Sequence, residues 1–93
     1  MKTALLAFGL LLCLGAPVRA QADDEALDPQ ALHQRGRERY DRRDYRGAIA
    51  DYDAALRLTP DFAEALHSRG VARSRLKDWV GARADFEQTV HLR

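Results

Sequence analysis

Cysteine occurs once in the 93 residues, at Cys13, so no intramolecular disulfide can staple the chain and no Cys-x-x-Cys motif can be written on it. Glycine (6) and proline (3) are sparse and form no glycine-rich phosphate loop. An excess of either charge is also missing. Fifteen Lys and Arg stand against 14 Asp and Glu, a formal net charge of +1, which makes no general case for nucleic acid or an anionic membrane surface. No segment shows the strict alternation or the β-branched enrichment of a strand. After residue 20 no stretch is apolar enough to span a bilayer.

The one long apolar run lies at the start. Met1-Lys2-Thr3 is a short positive opening, Ala4 to Leu14 is apolar, and Gly15-Ala16-Pro17-Val18-Arg19-Ala20 breaks the helix. This three-part layout predicts a secretory signal peptide over residues 1–20, with Val18 and Ala20 as the small residues read by the peptidase and Gln21 as the mature N-terminus. The alternative is an uncleaved N-terminal anchor. Leu12 before Cys13 argues against lipoprotein processing. The expected location is the periplasm or the extracellular medium, with no membrane attachment after cleavage. Loss of Lys2 and Arg19 leaves 13 basic against 14 acidic residues and removes the only cysteine. Residues 21–28, acidic and poor in apolar side chains, read as a flexible leader.

Beyond residue 28 one motif is written twice. Leu32, His33, Arg35, Gly36, Arg39, Asp44, Gly47, Ala48, Ala50, Asp51 and Leu58 recur 34 residues later as Leu66, His67, Arg69, Gly70, Arg73, Asp78, Gly81, Ala82, Ala84, Asp85 and Leu92. Self-similarity at this period is the mark of stacked helical hairpins, which are binding surfaces far more often than catalysts. The helical stripes agree: Leu32, Gly36 and Tyr40; then Tyr45, Ala48, Ile49, Tyr52, Ala55 and Leu56; then Ala65, Leu66, Gly70, Ala72 and Leu76; then Trp79, Ala82, Phe86 and Val90. Asp28 before Pro29 suits a helix start, and Thr59-Pro60-Asp61 separates the second helix from the third.

These residues resemble the tetratricopeptide repeat family, whose unit places small residues where two helices meet closely and a large one in the groove between them. Gly36, Ala48, Tyr52, Ala55 and Pro60, with Leu32, carry the resemblance in the first copy, and Gly70, Ala82, Phe86 and Thr89, with Leu66, in the second. It implies an all-α, right-handed solenoid of four antiparallel helices in two repeats, 29–62 and 63–93, the second without its closing proline or a capping helix. Such arrays usually need at least three units and a cap. The chain is therefore expected either to self-associate, as a homodimer through the last helix, or to be the N-terminal fragment of a longer array. Arg35 and Arg69 stand where the family commonly has an aliphatic residue, each 16 residues before an aspartate, Asp51 or Asp85. Each arginine is expected to bridge to that aspartate on the second helix of its hairpin, the alternative being two solvated charges.

The resemblance also implies a concave groove lined by Gln30, His33, Gln34, Arg37, Tyr40 and Asp41 on one helix and Glu64, His67, Ser68, Val71, Ser74 and Arg75 on another. The lysine and asparagine with which some relatives hold a peptide's terminal carboxylate are absent from these places, so that docking activity is not implied. His33 and His67 could begin a metal site, but no His-Glu-x-x-His spacing supports one, and groove histidines that contact a partner are the expectation. Ser68 beside His67 makes no triad. Arg35, Arg37, Arg39, Arg42, Arg43 and Arg46 form a local positive cluster offset by Glu38, Asp41 and Asp44. It reads as a solvated face or as a site for an anion or acidic peptide, with Arg37 facing the groove. The expectation is thus an exported module that binds a protein or peptide segment, with no catalysis, cofactor or metal. Intact-mass measurement of the exported protein should give a chain beginning at Gln21; a mass that retains Met1 to Ala20 would mean an anchored protein.

Overall fold

The computed structural model describes residues 27–93, so the expected signal peptide and most of the acidic leader lie outside the described residues. Four helices succeed one another: α1 (Pro29–Asp41), α2 (Tyr45–Leu58), α3 (Ala63–Arg75) and α4 (Trp79–Leu92). Among the described residues there is no strand. Consecutive helices pack as two hairpins, α1 with α2 and α3 with α4, and α2 against α3 joins them. The described residues form the all-α, tetratricopeptide-like arrangement of two repeats.

Local chemistry starts and stops each helix. The Asp28 carboxylate accepts from the Ala31 N–H at 2.7 Å, with Pro29 in the first turn, where its missing N–H costs nothing. Asp44 and Asp78 cap α2 and α4 identically, each accepting a backbone N–H, from Gly47 and Gly81, at 3.0 Å. Leu27 packs on the core, so the fold begins ahead of Pro29. α3 has no side-chain cap. In its cap position Phe62 instead turns its ring into the core, and the Thr59 carbonyl accepts the Phe62 N–H at 3.1 Å.

Both hairpin turns close in the same way. After α1 the N–H of Asp44 bonds back to the Arg39 carbonyl at 2.9 Å and that of Arg43 to Tyr40 at 2.8 Å; after α3, Asp78 reaches Arg73 at 2.9 Å and Lys77 reaches Ser74 at 3.0 Å. This helix-closing motif places Arg43 (φ 65°) and Lys77 (φ 64°) in the left-handed region. A residue with a Cβ is roughly 1 kcal/mol less favourable there than glycine. No glycine or asparagine marks either position in the sequence, so composition alone does not reveal the motif.

The core forms two clusters. Leu32, Ala54, Ala55, Leu56, Phe62, Ala65 and Leu66 fill the end near the α2–α3 turn, and Ala48, Tyr52 and Ala72 fill the other, flanked by Tyr40 and Ile49. Alanine dominates because the backbones approach closely. Glycine marks two close contacts between paired helices: at Gly36 a Cβ would lie 2.5 Å from Cε1 of Tyr52, and at Gly70 it would lie 2.7 Å from Cε1 of Phe86.

The Asp51 side chain is buried yet ionisable, and it is matched by arginine. Nη2 of Arg35 reaches Oδ1 at 2.7 Å and Nη1 of Arg39 reaches the same atom at 3.0 Å. In the second hairpin Arg69 grips Asp85 with both Nε (3.0 Å, to Oδ2) and Nη2 (2.7 Å, to Oδ1), and Arg73 adds a bond to Oδ2 at 2.8 Å. The expected bridges exist, and Arg39 and Arg73 join them. Each arginine comes from the first helix of a hairpin and each aspartate from the second, so the network fixes how the two helices slide past one another. Arg69 also donates to Asp53 on α2 at 2.8 Å, linking the hairpins, and its bonds to Asp85 and Asp53 hold its guanidinium more firmly charged than usual, against the effect of burial.

The two glycine contacts differ in consequence. The Tyr52 ring is only 1% exposed and cannot retreat, whereas Phe86 is half-buried and can. Gly36→Ala should therefore lower stability by about 1–2 kcal/mol, overpacking outweighing the gain in helix propensity, while Gly70→Ala should change it by less than about 0.5 kcal/mol. Urea denaturation of the two variants is the measurement, and equal losses would contradict the packing assigned to Tyr52.

Candidate functional site

α1 and α3 lie side by side, and two contacts stitch them across the groove. His33 Nε2 and the Ser68 hydroxyl are 2.9 Å apart, and Nε of Arg75 donates to the Tyr40 hydroxyl at 2.9 Å. The Arg75 guanidinium also sits 6.0 Å from the centre of the Tyr40 ring, at the outer reach of a cation–π contact. Both pairs join residues 35 apart, one more than the repeat, so the same register carries both.

Between these stitches is a pocket of about 210 Å³ lined by Arg37, Tyr40 and Asp41 of α1, Tyr52 of α2, and His67, Ser68 and Val71 of α3. Six of these seven are residues the repeat pattern assigns to the groove. Tyr52 is the addition. Its place in the apolar stripe of α2 marks it as core, and it is core, but one part of it forms the pocket floor beside Gly36, which carries no side chain to cover it. Burial pushes its phenol up to about 12, the nearby Ser68 hydroxyl and Arg37 charge opposing, so it stays neutral and can donate from the floor.

The remaining expected groove residues divide. His33 and Arg75 form the stitches. Gln30, Gln34 and Glu64 are exposed on α1 and α3 but do not line the pocket. Ser74 is a correction: its hydroxyl donates to the Val71 carbonyl of its own helix at 2.6 Å, and its side chain borders a different depression, against Trp79 and Phe86 of α4. Ser74 lies in the last turn of α3, on the side that neighbours α4.

The His33 ring lies 5.1 Å from Phe62 and 5.6 Å from Tyr52, and that of His67 lies 5.6 Å from Phe86, so each packs on an aromatic of its neighbourhood as well as bordering the groove. His67 is exposed and remains accessible from the pocket. Burial and the Arg37 charge lower the His33 pKa from the usual 6.5, against a smaller opposing effect of Glu64. Among the described residues no three His, Cys, Asp or Glu side chains come together as a metal site, and no helix is long and apolar enough to cross a membrane.

Charge in the groove is arranged unevenly. Arg37 is exposed at the pocket edge, one helical turn from Asp41, and makes no ion pair among the described residues, whereas Arg35 and Arg39 on the same helix are engaged by Asp51. The three arginines within α1 therefore split by face: Arg35 and Arg39 turn to the hairpin interior and Arg37 to the groove. A family model described as TPR repeat matches residues 36–77, from the middle of α1 to the turn after α3, and supports a tetratricopeptide repeat protein. No curated protein and no solved structure matches the chain.

The lowered His33 pKa sets a sign for pH. The folded state resists a proton that the unfolded chain accepts near pH 6.5, so stability should fall as pH drops from 7 through 6.5 towards 5. His33→Gln should flatten that part of the profile. Urea midpoints at pH 7 and pH 5 for both proteins test this, and parallel declines would remove His33 as the cause.

Proposed function

We propose that this chain is an exported interaction module that receives a peptide or protein segment in the groove between α1 and α3, without catalysis of its own. Tetratricopeptide repeats are generally protein-interaction modules, and the repeat match carries that much. The observation that favours the α1–α3 groove is the pocket itself. It joins an exposed arginine that makes no ion pair among the described residues, an exposed histidine, an apolar patch from Val71 and a tyrosine floor within one opening of peptide side-chain size.

The physical reasoning for a polypeptide ligand rests on this mixture. A segment can set an acidic side chain against Arg37, a donor against Asp41 and an apolar side chain over Val71 and Tyr52. The stitches Tyr40–Arg75 and His33–Ser68 hold the walls before the ligand arrives, which reduces the entropy lost on binding. The case for export rests on the leader over residues 1–20, so the partner is sought in the periplasm or outside the cell. No residue is assigned a catalytic role: the buried carboxylates are neutralised by arginine, and Tyr52 is held neutral.

Affinity capture from a periplasmic extract with the chain as bait should retain a specific protein. Arg37→Glu should weaken that retention about tenfold, the loss of roughly 1.4 kcal/mol, with circular dichroism unchanged. Arg75→Glu should weaken it too, through loss of the Tyr40 stitch. Retention that is indifferent to both reversals would place the binding surface elsewhere.

A further inference from the structure

The face of α4 that turns away from α3 copies the face of α2 that α3 covers. Tyr45, Ala48, Tyr52 and Leu56 recur 34 residues on as Trp79, Ala82, Phe86 and Val90. Across α2 this stripe is closed over by α3, and Tyr52 is 1% exposed and Leu56 9%. On α4 its two ends are open, Trp79 64% and Val90 75% exposed, while Ala82 (3%) and the half-buried Phe86 pack within their own hairpin; a groove of about 530 Å³ runs along the stripe, edged by Arg83 and Glu87. A face with this pattern is built to be covered by a helix.

Which helix covers it is decided by charge and register. A second copy cannot stack its α1 there as α3 stacks on α2. Where α3 presents Ala72 to Ala48 and Tyr52, α1 has Glu38, whose carboxylate would be buried against Ala82 and Phe86 without a partner. Head-to-tail growth of the array is thereby blocked. The α4 face does, however, match itself. In an antiparallel pair related by a two-fold axis at the level of Ala84 and Asp85, Trp79 of each chain meets Val90 of the other. The same axis sets Arg83 of each chain opposite Glu87 of the other. Both pairs are centred on the same point of the helix, so one register satisfies the apolar and the charged contacts together. A parallel pair would oppose Arg83 to Arg83.

We propose that the chain forms an isologous dimer through α4, antiparallel, with Trp79 packed near Val90 and two Arg83–Glu87 pairs crossing the interface. Within one chain Nε of Arg83 already donates to Glu87 at 2.8 Å, and both side chains remain largely exposed, so each can be shared with the second copy. The contact lies on α4, away from the α1–α3 pocket, and is independent of the groove reading. A two-fold interface also closes, which leaves no further copy to add.

Trp79 is the only tryptophan, so its emission reports on the interface alone. Analytical ultracentrifugation and fluorescence of the purified chain over a concentration series should show a monomer–dimer equilibrium in which Trp79 emission moves to the blue as dimer forms. Val90→Glu is the disrupting variant of choice, because Val90 is exposed whereas Phe86 lies against Gly70 inside its own hairpin. It should weaken the dimer at least tenfold without loss of helicity. Arg83→Glu and Glu87→Arg should each weaken self-association about tenfold, and an equimolar mixture of the two should dimerise again, since both crossing pairs are then of opposite sign. Three results would overturn the proposal: a monomer at every concentration, with Trp79 either exposed or already covered by another part of the chain; a dimer indifferent to Val90→Glu; or charge reversals that leave association unchanged.

Discussion

Arg69 reaches two aspartates on two different helices, and the relation between the hairpins depends on it. Its bidentate grip on Asp85 sets the register of α3 against α4, while its third donor, to Asp53, sets α3 against α2. An isolated carboxylate at the depth of Asp85 would be strongly unfavourable, so this position is tolerable only when the arginines of the facing helix are in place. Removing one partner from such a buried set typically costs about 3–5 kcal/mol, while the intact set adds little over an apolar pair. The network therefore specifies alignment more than it supplies stability. The first hairpin repeats the device with Arg35, Arg39 and Asp51, with one carboxylate oxygen of Asp51 left without a hydrogen-bond partner among the described residues.

The alignment governs everything above it. Once α1 and α2 are held in register, Gly36 faces the Tyr52 ring, and the absence of a Cβ lets that ring lie close enough to floor the groove. Once α3 is tied to α2, its residues fall beside those of α1 at a separation of 35, and Tyr40–Arg75 and His33–Ser68 close as a consequence. The ion pairs occupy one side of the first helices and the pocket the other. That division explains why Arg37 is the arginine of α1 that lines the pocket, while Arg35 and Arg39 are engaged by Asp51.

The two faces available for recognition differ in character. The α1–α3 pocket is small, mixed in polarity and held by hydrogen bonds on both sides, as suits selection of a short segment by a few side chains. The α4 face is broad and apolar with charges only at its edges, as suits a helix laid along it. They lie on different elements, so occupation of one leaves the other open.

The sequence alone determined the architecture, because the period of 34 and the apolar stripes are statements about which residues must be buried together. It also identified Arg35 with Asp51 and Arg69 with Asp85, since the pair recurs at constant spacing, while most of the pocket wall, Arg37, Tyr40, His67 and Val71 among it, came from what the resemblance to tetratricopeptide repeats implies. Only the tertiary structure decided the rest. Arg39 and Arg73 join the buried carboxylates because the facing helix is close enough for a second guanidinium, a distance that no pattern encodes. Ser74 borders the depression beside Trp79 and Phe86 of α4 and not the α1–α3 pocket, a difference that the repeat does not encode. The left-handed turns at Arg43 and Lys77 carry no glycine to announce them. Tyr52 serves as core and pocket floor at once because Gly36, with no Cβ, lets its ring lie close against α1, and such a role exists only where two helices meet.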